Sequence, residues 1–90
     1  MKFEWDSQKA ALNLKKHGVT FEEATTVFRD TLSATDHDPD HSTGDDRFIT
    51  FGLSSSGRLL VVSHTERKDG IRIISARPAT KREKKIYEED

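Results

Sequence analysis

Ninety residues and 10.2 kDa suffice for one small domain, residues 1–90, with a single modest core. With 32% hydrophobic and 34% charged residues and no cysteine, the chain excludes a disulfide framework and a Cys-based metal site, and its thin apolar content invites a partner to complete its stability. No run approaches the roughly 18 apolar residues of a membrane span and MKFEWD has no signal-peptide core, so the expected compartment is the cytoplasm, with no membrane contact.

The net charge of −1 conceals a split. Residues 1–57 carry six Lys/Arg and ten Asp/Glu, a net −4, whereas residues 58–87 carry nine Lys/Arg and three Asp/Glu, a net +6. A polyanion is therefore expected to meet the C-terminal third, although a basic stretch of this size is as often plain solvated surface.

In chain order, residues 2–5 predict a short strand. Asp6 is an N-cap for a helix over SQKAALNLKKHG, whose apolar stripe is Ala10, Ala11 and Leu14; Gly18 supplies the left-handed stop, with Lys15, Lys16 and His17 in the last turn. Thr20-Phe21-Glu22-Glu23 is a capping box, and Phe21, Ala24 and Phe28 recur at core-facing helical spacing. The two helices form an αα-hairpin that needs a sheet to cover it. Residues 31–35 predict a short strand. Residues 36–46, DHDPDHSTGDD, hold two His and several Asp, but Pro39 and Gly44 mark a loop and the EF-hand spacing is absent, so no metal is assigned. Residues 47–53 alternate, with Ile49, Phe51 and Leu53 on one face; residues 54–57 turn, and residues 58–67 form a strand apolar on both faces at Leu59-Leu60-Val61-Val62 and polar from His64 onward. Residues 71–77 return beside it and Pro78 ends them. Thr80 to Glu83 is a second capping box, opening a helix to Glu89 with Ile86 as its expected anchor.

The organising stretch is residues 63–77, SHTERKDGIRIISAR. A two-residue Asp69-Gly70 loop pairs Lys68 with Ile71 and places His64, Glu66, Ser75 and Arg77 on one face. A three-residue loop, 68–70, sets Arg72 opposite Glu66 and sends Ser75 and Arg77 to the other face. The first register gathers a base, an imidazole and a guanidinium in one patch; the second leaves a polar, solvated hairpin end.

FEWD, KHGVTFEEA, HSTGDDRFITFGLSSSGRLLVVSHTER and IRIISARPATKREKKIYEE, in that order, resemble the BrnT family, toxins of type II toxin–antitoxin pairs, over essentially the whole chain. The resemblance implies a RelE-like α+β fold, with an N-terminal strand and two short helices on an antiparallel sheet and a short C-terminal helix. It also implies a ribonuclease that arrests translation, a BrnA-like DNA-binding antitoxin as partner, and contact with operator DNA only through that antitoxin. His64, Glu66, Arg67, Arg77 and Tyr87 occupy its motif positions; Pro78 departs from it, standing where the family more often has a basic residue. The expected chemistry is transesterification of RNA without metal or other cofactor. In it Glu66 is the base, Arg77 steadies the phosphorane and His64 is the acid, while Tyr87 stacks on a base or replaces that acid. Arg67, Arg72, Lys81 and Arg82 are expected to hold backbone phosphates. Two other classes stay open: a non-catalytic nucleic-acid- or protein-binding module, and a metal-dependent hydrolase using His37 and His41.

Overall fold

A computed structural model describes residues 2–38 and 46–89. The chain runs β1 (Lys2–Glu4), α1 (Ser7–His17), α2 (Phe21–Thr26) with a 3₁₀ turn (Val27–Arg29), β2 (Ala34–His37), β3 (Arg47–Leu53), β4 (Leu59–Arg67), β5 (Gly70–Pro78) and α3 (Lys81–Glu89). One five-stranded sheet has the order β1-β5-β4-β3-β2. Its fold class is α+β, but the sheet is mixed rather than antiparallel, because β1 lies parallel to β5, with Phe3 opposite Ile71. A parallel pair needs a long connection; here it is residues 5–69, which hold α1, α2 and the other three strands.

The helix signals form as read. Asp6 accepts from the backbone N–H of Gln8 and Lys9, and Gly18 closes α1 at φ 69°, a conformation glycine adopts without Cβ strain. Thr80 and Glu83 cap each other reciprocally at 2.8 and 3.1 Å. At α2 only half the box forms: Thr20 accepts from the N–H of Glu23, while the Glu23 carboxylate turns away to Arg58, Ser54 and Ser56. That clasp ties α2 to the β3–β4 turn, and the Arg58 guanidinium lowers Glu23 to about 2.

The inner face of the sheet carries the main core, where Val19, Phe21, Ala24 and Val27 pack on Leu60, Val62, Ile71, Ile73 and Ala76. On the outer face a smaller cluster, Leu59, Val61 and Ala79, meets Ile49, Phe51 and Tyr87. Strand β4 thus serves both layers, as its double-sided apolar run requires.

Three local expectations change. The buried polar residue of α1 is Asn13, whereas Leu14 is 48% exposed and Ala11 lies outside. The Asn13 amide donates to Ala76 O and Val19 O and accepts from Ala76 N–H, so it behaves as a one-residue strand along β5 beyond the end of β1. An exposed apolar stripe would leave those backbone groups unmet. Strand β2 begins three residues later than expected, because Asp30 accepts from Leu32 N–H and turns the chain first. On α3, Ile86 is 56% exposed and Tyr87 packs on Phe51 instead, with ring centres 5.6 Å apart.

Candidate functional site

In the β4–β5 hairpin Arg67 pairs with Gly70, so the loop is Lys68-Asp69, one position earlier than the Asp-Gly signal indicates. Gly70 has no positive φ. Its missing Cβ is needed because the Lys2 carbonyl of β1 lies where that atom would be. The parallel neighbour, invisible to local turn chemistry, explains this glycine.

Near the tip His64 faces Ile73, but farther along Ser63 faces Ser75, and Ile74 is left over as a bulge. One extra residue moves everything beyond it to the other face. His64 and Glu66 therefore lie on the inner side, and Ser75 and Arg77 on the outer side, with Arg77 opposite Val61. The expected patch of His64, Glu66, Ser75 and Arg77 is divided by the sheet.

His64 is 3% exposed, held edge-on to Phe28 and stacked beside Phe48. Its Nε2 lies 2.7 Å from Thr50 Oγ1, which lies 2.7 Å from Thr35 Oγ1, while Nδ1 has no partner. Burial pushes the imidazole down to about 4, so it is neutral at pH 7. Glu66, with Arg67, is exposed at the hairpin tip.

The outer face gathers the cations. Arg77 donates to both Glu83 oxygens, at 2.8 and 3.0 Å, and this fork pulls the carboxyl down to about 2. Tyr87 donates to Asp30 Oδ2 at 2.7 Å, and this bond to a carboxylate raises the phenol above its usual value. Toward the hairpin, Thr65 stands between its direct cross-strand partners Arg47 on β3 and Arg72 on β5, and Arg72 also binds Glu4 at 2.8 Å. Ser63 and Ser75 face each other between this row and Arg77. Lys81 and Arg82 are exposed in the first turn of α3. Helix α3 packs on this face at its Leu59–Phe51 end, through Tyr87.

The structure thus puts Arg72, Arg77 and Tyr87 on one side, with Lys81 and Arg82 at its margin. Arg47 and Thr65 were missed by the sequence reading. Strand alternation carried the signal for both: Arg47 precedes the Ile49-Phe51-Leu53 face, and Thr65 is two positions beyond Ser63. His37 lies 3.5 Å from Asp46, but His41 and the rest of residues 39–45 fall outside the described residues, as does the metal reading that rests on them. Among the described residues, no three His, Cys, Asp or Glu side chains converge as a metal site, and no helix is long and apolar enough to cross a membrane.

The crystal structure of the Brucella abortus ribonuclease toxin BrnT is similar to this fold with a TM-score of 0.66. At 24% identity, the match spans 90% of this chain and 99% of that one. No curated protein sequence matches the chain. The profile of the family described as ribonuclease toxin, BrnT, of type II toxin–antitoxin system matches residues 5–83. With α1, α2, β2 to β5 and the first turn of α3 inside that span, the chain belongs to the BrnT family of ribonuclease toxins.

Proposed function

We propose that this chain is a cytoplasmic endoribonuclease whose RNA substrate lies across the outer face of the sheet. The observation that carries the reading is the convergence of Arg47, Arg72 and Arg77, from the two strands flanking β4, on the outer face beside α3. Guanidinium forks suit phosphodiester oxygens, and the facing Ser63 and Ser75 hydroxyls add neutral donors between them.

Arg77 is the cation for the scissile phosphate. When it exchanges Glu83 for that phosphate, the Glu83 carboxylate loses the charge that holds it near 2 and becomes basic enough to take the 2′-OH proton. Tyr87, whose ring packs on Phe51 of the same face, protonates the leaving 5′-oxygen once its hydroxyl leaves Asp30. In this arrangement His64 supports β4 from behind and Glu66 lies on that inner side, while Arg67 holds the RNA strand at the hairpin tip, with Lys81 and Arg82 along α3. No step calls on a metal ion. The ribonuclease arrests translation, and a BrnA-like antitoxin restrains it by covering α3 and the outer face. The complex represses its own operon through the antitoxin's DNA-binding domain.

Cleavage of a single-stranded RNA in the presence of chelator tests this reading. Products ending in 2′,3′-cyclic phosphate are expected, with Arg77→Ala slowing the chemical step by roughly 10²–10³. A strict need for a divalent ion, or full activity in a folded Arg77→Ala variant, would overturn it.

A further inference from the structure

Thr65 is only 4% exposed, yet its Oγ1 has no hydrogen-bond partner. A buried hydroxyl without a partner costs stability, and native structures keep few of them. This one projects on the outer face, directly between Arg47 and Arg72. Neighbouring strands lie about 4.8 Å apart, so the three side chains rise from a strip about 10 Å wide. Glu4 occupies one nitrogen of Arg72 at 2.8 Å and leaves Thr65 unserved. A planar carboxylate matches one guanidinium edge, whereas a tetrahedral phosphate has oxygens for two guanidinium groups and a hydroxyl at once.

We infer that Arg47, Thr65 and Arg72 form a phosphate seat, a binding site separate from Arg77 that holds a non-scissile phosphate of the RNA strand. The inference rests on the reading of the outer face as the RNA surface. It adds a residue-level requirement: the Thr65 hydroxyl donates to a phosphate oxygen, and the flanking arginines supply the charge. The hydroxyl is left unpaired in the free protein because its partner arrives with the substrate.

The test combines binding, stability and a minimal ligand. A 2′-O-methyl RNA, which lacks the attacking hydroxyl, is titrated by fluorescence anisotropy into the full chain and into Thr65→Val, Thr65→Ser and Arg47→Gln. Thr65→Val should weaken binding roughly tenfold while the melting temperature holds or rises, because an unmet buried hydroxyl has been replaced by a methyl. Thr65→Ser should retain binding. Arg47→Gln should weaken binding and reduce the salt slope by about 0.7, one single-strand phosphate contact. Inorganic phosphate should shift the side-chain N–H resonances of Arg47 and Arg72 in the intact chain, and less so in Thr65→Val.

Unchanged affinity in Thr65→Val overturns the seat, as does a melting temperature that falls with the affinity, the mark of a purely structural hydroxyl. If Thr65→Val binds and cuts RNA normally while Arg77→Ala cuts none, the seat fails and the ribonuclease reading stands. If the intact chain neither binds nor cuts RNA, that reading fails, and the phosphate titration alone decides the seat.

Discussion

The buried imidazole of His64 makes stability depend on pH in a window where few other groups act. Its folded value is about 4 against 6.5 for the exposed side chain, and burial is the cause. The unfolded chain therefore binds a proton more readily than the folded one. The stability contributed by the neutral ring is fully present above pH 6.5 and lost as pH falls toward 4. Over the whole interval the loss approaches about 3 kcal/mol, and between pH 7.5 and 5 it is about 2 kcal/mol. The two carboxyls held near 2, Glu23 and Glu83, lose their contribution only below their ordinary value of 4.5, so they leave this interval to the histidine. Urea titrations at pH 7.5, 6 and 5 measure the effect. With a slope of about 1–2 kcal/mol per molar, the midpoint should drop by about 1–2 M. His64→Gln should start less stable, through loss of ring packing, but its midpoint should be nearly flat across the same interval. A midpoint in the parent chain that does not move, or one that moves equally in His64→Gln, would refute the argument.

Asn13→Ala removes three hydrogen bonds and strands Ala76 N–H, Ala76 O and Val19 O in a buried place. A loss of about 2–4 kcal/mol is expected, visible as a melting temperature lowered by more than 8 °C. Tyr87→Phe keeps the ring on Phe51 but deletes the bond to Asp30. It should cost about 1 kcal/mol and speed amide exchange in α3, and unchanged exchange there would show that the bond does not hold the helix.

What was legible in the sequence was what neighbouring residues decide. Asp6, Gly18 and the Thr80–Glu83 pair act within one helical turn, and the alternation over Arg47–Leu53 states its own faces. The hairpin failed because two distant facts outvoted its turn chemistry. The Lys2 carbonyl claims Gly70 from 68 positions away, and the Ile74 bulge reverses the face of Ser75 and Arg77 without a composition signal. The two-residue-loop register brings His64 and Arg77 together, and a single unpaired residue separates them as the three-residue-loop register does. Asn13 was illegible for the same reason: its partner on β5 lies 63 positions onward. Glu23 fits its capping box on paper, yet Arg58 offers it a charge where the Thr20 backbone offers only a dipole.

The position of β5 has a consequence for how the molecule is made. It lies between β1, the first of the five strands in chain order, and β4, yet it is itself the last of the five. Until residues 70–78 emerge, β1 has no hydrogen-bonding neighbour and the inner core lacks Ile71, Ile73 and Ala76. The order of synthesis thus delays completion of the sheet until residues 70–78 are out. Arg72 and Arg77 arrive on the strand that completes the sheet, so the cationic face comes into being in the same event as the fold.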